Sequence, residues 1–345
     1  MINQRKYYLD LLRILACAGI VIQHIAAMNW YSMADAGNWF FCNFYDAMTR
    51  FGVPVFFMIS GVLYLDLKKE IIIKRLYLDH ILKFLIIYGI WSLIYGAWQA
   101  YANHTLDIKS IILWTVVSGY HMWFLLTLIG IYMLVPLLRW MIEAGGKSAC
   151  EYLILLFFAF QIIRETIYAL NLSTTLNTVV GKIPVELACS YVGYFVLGYY
   201  LNEYELTAKK EKWIYILGVM GLISAVGIST LQSFLSGVPT SGMFDSYALP
   251  TFFASVFVFT IFVKKVQKKE WSYGARRFII AFSNSTFGIY LSHVLFTRVL
   301  IYFNIIDLIP YKIIQIPFIT LIILAVCGTV SHFVRKIPLI GKYLC

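Results

Sequence analysis

Apolar runs of about 17 to 25 residues, the length of a helix crossing a bilayer, alternate along the chain with short polar and basic segments. They fall near 8–28, 48–66, 79–101, 122–141, 150–170, 186–201, 213–235, 248–264, 278–303 and 311–334. The pattern predicts an all-α, polytopic membrane helical bundle of about ten transmembrane helices. Residues 108–117 are apolar but too short to cross, which predicts an outer surface helix. The loops at 171–185 and 236–247 are rich in Ser, Thr, Asn and Gly and carry little charge, as expected of exposed outer loops that admit a substrate. No long polar segment interrupts the pattern, so a single membrane-embedded domain over 1–345 is expected to carry the whole function. The first run holds an arginine, exceeds a signal core in length and is followed by further spans, so it is expected to remain in the mature protein.

That first run also breaks the hydrophobic pattern most sharply, at Arg13 and His24. At about 100° per residue their spacing amounts to three turns plus roughly 20°, which puts both on one helix face about 16 Å apart. Ionisable residues inside a membrane segment are costly and mark a pathway or reaction site. The ordinary alternatives are an arginine that snorkels to the headgroups and a packing histidine.

Composition agrees with the pattern: of 345 residues, 61% are hydrophobic and 13% charged, and mean hydropathy is +0.78. The 17% aromatic content suits interfacial belts and a ring-lined cavity. A net charge of +11 raises nucleic acid as a partner, but the basic residues form short clusters between apolar runs and no single patch. Their distribution orients the helices instead. With both termini cytoplasmic, 20 of the 28 Lys and Arg fall inside and 6 outside, Arg13 and Lys83 lying within spans. The six cysteines lack disulfide-framework or metal-type spacing.

Four further places carry candidate chemistry. In Thr49-Arg-Phe-Gly-Val-Pro-Val-Phe-Phe-Met-Ile-Ser-Gly61, Arg50 meets the outer interface, while Ser60 and Gly61 permit close helix approach. In Tyr120-His-Met-Trp-Phe-Leu125, His121 is expected at the outer membrane surface beside Trp123, an arrangement that is ordinarily a belt feature. Ser283, Thr286, Tyr290 and His293 make one polar stripe on an otherwise apolar helix, and such a stripe lines something. Lys74, Arg75 and Lys83 bracket the inner entrance to the third span, where they either obey the positive-inside rule or meet a phosphate-bearing donor. Ser-His-Asp, phosphate-loop, zinc-protease and ferredoxin patterns are missing from the sequence, and no metal is expected.

These residues resemble the acyltransferase-3 family of integral-membrane acyltransferases. The resemblance rests on Asp10-Leu-Leu-Arg13 followed ten residues later by His24, on Arg50 with Val53 to Gly61, on His121-Met-Trp-Phe-Leu125 and on Gly288-Ile-Tyr-Leu-Ser-His293. It is closest to single-domain members that O-acetylate surface polysaccharides or their lipid-linked precursors. It implies an enzyme of the cell inner (plasma) membrane that moves an acetyl group from cytoplasmic acetyl-CoA, a co-substrate, to a glycan or lipid-linked sugar hydroxyl. No permanently bound cofactor is implied. The resemblance carries the family's arginine and histidine onto Arg13 and His24 as catalytic residues, and its cytoplasmic basic motif onto Arg75. Family members often have a second arginine three residues later and a proline opening the third span. Here Leu78 and a run without proline follow, leaving Lys74 or Lys83 as donor-side substitutes.

Acyl transfer needs a base, an oxyanion donor and exclusion of water. His24 meets the first need as general base or as acyl carrier, while Arg13, deeper toward the cytoplasm, serves the donor. Arg50, Ser60, His121, Trp123, Tyr290 and His293 are expected to line the cavity or the acceptor side. Two other classes fit the same residues: a transporter or flippase for a lipid-linked sugar, and an accessory subunit of a polysaccharide synthase.

Overall fold

The computed structural model describes residues 5–117, 119–181, 186–338 and 340–344. The end of the expected outer loop 171–185, with Lys182, lies outside the described residues, as do Cys345 and the side chain of Cys189. The described residues form helices and turns, with no strand. In chain order the helices are α1 Tyr7–Ala27, α2 Ala36–Thr49, α3 Gly52–Tyr64, α4 Ile73–Ala102, α5 Ile108–Val117 and α6 Tyr120–Leu170. Then follow α7 Thr174–Gly181, α8 Glu186–Glu203, α9 Ala208–Ser236, α10 Leu249–Lys264, α11 Tyr273–Tyr302, α12 Lys312–Val334 and α13 Ile340–Leu344.

Eight helical runs among the described residues are long and apolar enough to cross a membrane, against about ten expected spans. One 51-residue run, α6, covers both expected spans 122–141 and 150–170. Its helix breaks at Gly146, whose φ of 53° suits a residue without Cβ. The expected span 186–201 falls on α8, whose side chains are described from Ser190 onward.

The second expected span, 48–66, is preceded by a further helix, α2, within one helical run Ala36–Tyr64. α2 contains Asn38, Asn43 and Asp46, which suppress its hydropathy, but its polar groups are satisfied internally. Asn43 donates to Ser229 Oγ and Thr230 Oγ1, both at 2.9 Å, and accepts from Trp30 Nε1 at 3.0 Å. Asp35 caps the helix by accepting from Asn38 N at 3.0 Å.

Helices α1, α3, α8 and α11 supply the interior, whereas α9 and α12 are largely exposed along their lengths. Close approach of α3 and α8 depends on Gly61, where a Cβ would run into the Phe195 carbonyl. The expected surface helix is present as α5, with none of its side chains buried. Loop 236–247 is less open than expected: Phe244 is buried and Tyr194 donates to Ser246 O at 2.6 Å.

Candidate active site

Two polar centres sit on α1, separated by the three turns between Arg13 and His24, and the helix runs between them without an irregular residue. The N-terminal centre is built around Asp10, which is only 5% exposed. Its carboxylate accepts from Arg5 Nε at 2.7 Å and Nη2 at 3.1 Å, and from Ser283 Oγ of α11 at 2.6 Å. Arg13 Nη1 lies 3.7 Å from the same carboxylate and donates to Ser283 Oγ at 3.4 Å. One buried carboxylate thus holds two guanidinium groups, and burial without such a partner would be costly. Arg13 is therefore drawn into the bundle by Asp10 and Ser283 and does not touch His24.

The second centre is a cluster of imidazoles. The ring of His24 lies 5.0 Å from that of His293 and 6.2 Å from that of His121, and the last two are 5.4 Å apart, all centre to centre. Three helical segments bring them together: α1, α11 and the tight turn Tyr120–Met122 that opens α6. Tyr120 Oη lies 3.3 Å from His24 Nδ1. Tyr95 stacks edge-on to His121 at 4.9 Å and donates to Leu291 O at 2.8 Å.

His293 Nδ1 faces two main-chain acceptors, Tyr290 O at 2.7 Å and Ile289 O at 3.2 Å. Carbonyls only accept, so Nδ1 carries the hydrogen of the neutral ring and Nε2 presents a lone pair. That Nε2 is buried with no protein partner, and the same is true of both nitrogens of His121. Each unmet buried polar group costs about 1–3 kcal/mol, which marks the cluster as a costly arrangement for packing alone.

The expected belt position of His121 is corrected here: it is 2% exposed, whereas Trp123, two residues on, is 42% exposed. The 3₁₀ turn at Tyr120–Met122 points the histidine inward and leaves the tryptophan to face outward. Trp123 packs on Tyr191, with ring centres 5.4 Å apart.

Arg50 is likewise no simple interfacial anchor. It donates from Nε and Nη2 to the two oxygens of buried Asp46 at 2.6 and 2.8 Å and lies over the Phe244 ring at 4.9 Å. The stripe expected on α11 is confirmed as an inward face, since Ser283, Thr286, Tyr290 and His293 are all buried. Ser60 donates to Phe56 O at 3.0 Å within its own helix.

At the Arg13 end, Arg75 lines a cavity of about 210 Å³ with Tyr64, Lys69 and His80. Tyr64 Oη lies 3.0 Å from His80 Nδ1, and its ring packs on Tyr132 at 4.3 Å. His80 belongs to a π-helical turn, Leu76–Ile81, inside α4. Such turns distort a helix locally and recur at functional positions. Lys74 is exposed, Lys83 half-buried, and neither lines this cavity.

Sequence reasoning did not single out Asp10, Tyr95, Tyr120 or His80 as site residues. Asp10 and His80 had a signal, being ionisable residues within or beside apolar runs; the tyrosines, among 25 in the chain, had none. Among the described residues no group of three or more His, Cys, Asp or Glu side chains is arranged to hold a metal ion.

Apolar helices of spanning length, with a buried carboxylate and two buried imidazoles among them, define a multi-pass membrane protein. The chain belongs to the acyltransferase-3 family: the family model described as an acyltransferase domain matches residues 6–332, nearly its whole length. It is a membrane acyltransferase. No curated protein and no solved structure matches the chain.

Proposed function

We propose that the protein is an O-acyltransferase that takes an acetyl group from acetyl-CoA at the cytoplasmic face and delivers it to a hydroxyl of a cell-surface glycan or its lipid-linked precursor. The observation that carries this reading is the imidazole cluster: His24 lies among His121 and His293, and the buried Nε2 of His293, unlike its Nδ1, has no side-chain or main-chain partner. A sugar hydroxyl supplies the hydrogen-bonding groups that such a cluster lacks.

In the reaction the hydroxyl oxygen forms a bond to the thioester carbonyl carbon, and its proton passes to His24. The C–S bond then breaks, and the proton goes on to the departing CoA thiolate. A neutral imidazole, with an unperturbed pKa of about 6.5, suits that exchange. His121 and His293 orient the acceptor, Tyr290 holds His121 in place, and Trp123, Arg50 and Ser60 belong to the acceptor side. Arg13, fixed by Asp10, guides the donor together with Arg75, Lys74 and Lys83. Both termini face the cytoplasm, as the basic residues of the loops favour.

The test is a titration of acetyl-CoA against purified protein in detergent, comparing wild type with Arg13→Ala and Arg75→Ala. Saturable binding weakened by either change supports the donor side. A folded protein that binds no acetyl-CoA overturns the reading and favours a flippase, which has no need of the thioester.

A further inference from the structure

Between α11 and the C-terminal half of α12 with the residues that follow it, the surface carries two adjoining grooves. The first, of about 350 Å³, is lined mainly by Phe278, Phe282, Leu324, Ala325, Gly328 and Phe333. The second, of about 260 Å³, is lined by Ala281, Asn284, His332, Arg335 and Lys336. Ala281 and His332 line both, so an apolar trough runs directly into a basic one.

We propose that this groove is a binding site for an anionic phospholipid, with an acyl chain along the apolar part and the phosphate among Arg335, Lys336 and His332. Cations ordinarily flank the cytoplasmic ends of spans; here they also close one end of a concave apolar trough, which matches a molecule with an apolar tail and an anionic head. Basic pockets between transmembrane helices hold such headgroups. The cations are held for the purpose: Arg335 Nη1 donates to Asn284 O at 2.5 Å, and Lys336 Nζ stands 5.3 Å from the centre of the Phe333 ring. Both side chains are exposed, and Arg335 keeps donors free for a phosphate.

The site also touches the Asp10 network. Asn284, whose main chain receives Arg335, accepts from Arg5 Nη2 at 3.2 Å through its side chain, and Arg5 in turn binds Asp10. A headgroup at Arg335 therefore stands next to the residues that fix Arg13.

The experiment titrates the purified full-length protein in detergent with phosphatidylglycerol or phosphatidylcholine of matched chains, reading bound lipid by native mass spectrometry. Saturable retention of phosphatidylglycerol is expected, with phosphatidylcholine held at least about tenfold more weakly. The double change Arg335→Gln with Lys336→Gln is expected to weaken phosphatidylglycerol about thirty-fold, from about fivefold per cation. Ala281→Trp obstructs the junction of the two grooves, keeps both cations and is expected to lower retention as well. Because Arg335 also braces Asn284, Lys336→Gln alone and Ala281→Trp carry the test if the double variant fails to fold. Equal retention of the two lipids, or retention unchanged in these variants, overturns the proposal. So does displacement of the lipid by glycerol phosphate at equal concentration, which would mark a site for free phosphate.

Discussion

Tyr290 donates its hydroxyl to the main-chain carbonyl of His121 at 2.9 Å. This bond ties α11 to the tight turn that opens α6 and fixes where the His121 ring enters the cluster around His24. Tyr290→Phe removes the hydroxyl and leaves the carbonyl unmet. The expected cost is about 1 kcal/mol of stability, and a similar loss in the transition state lowers acyl transfer about fivefold. Thermal unfolding and initial rates on the same preparation check both numbers.

Asp10 holds Arg5 and Arg13 together. Breaking a fully buried ion pair costs about 3–5 kcal/mol. Arg5 is 39% and Arg13 29% exposed in their side chains, so solvent screening reduces the effect. Asp10→Ala is expected to cost about 1–3 kcal/mol and to weaken acetyl-CoA binding by freeing Arg13. An unchanged acetyl-CoA affinity in a folded Asp10→Ala protein would show that Asp10 serves the fold alone.

The contact of α3 with α8 leaves no room at Gly61, where the obstacle is the Phe195 backbone and not a side chain that can swing away. Gly61→Ala is expected to destabilise by about 1–3 kcal/mol through overpacking. Gly89→Ala, with nothing near its Cβ position, serves as the control and is expected to be neutral or slightly stabilising.

Asp35 caps α2, which opens the second helical run long enough to cross a membrane. Hydrogen bonds from the Asn38 main chain and side chain hold its carboxyl below the usual carboxylate value. A depressed folded pKa contributes stability above the unfolded value, near pH 4, that is lost as pH falls through the folded one. The first turn of α2 is therefore expected to fray in acid below about pH 4, and Asp35→Asn to remove that dependence. Hydrogen exchange of the Asn38 amide measures it.

Much of this was legible in the chain because the bilayer penalises polarity so strongly. Arg13, His24, Tyr290 and His293 stood out as polar groups within apolar runs, and all four lie in the two centres. The cavity-side expectation for His121 came with the resemblance; neighbours alone give it an interfacial reading, because an imidazole beside a tryptophan at the start of a run reads as interface. Only the turn at Tyr120–Met122 separates their directions. Helix α2 falls outside the apolar runs because Asn43 and Asp46 lower its hydropathy, and Ser229, Thr230 and Arg50 satisfy them in the fold. The two runs joined in α6 were separable by hydropathy, but the break at Gly146 is a single backbone angle that no composition encodes.

The central claim is that His24 is the reaction centre. Membranes carrying wild type or His24→Ala, matched for protein abundance, are supplied with acetyl-labelled acetyl-CoA, and label in the surface glycan is counted. The account predicts incorporation with wild type and only background with His24→Ala. Near-normal labelling with His24→Ala would contradict it.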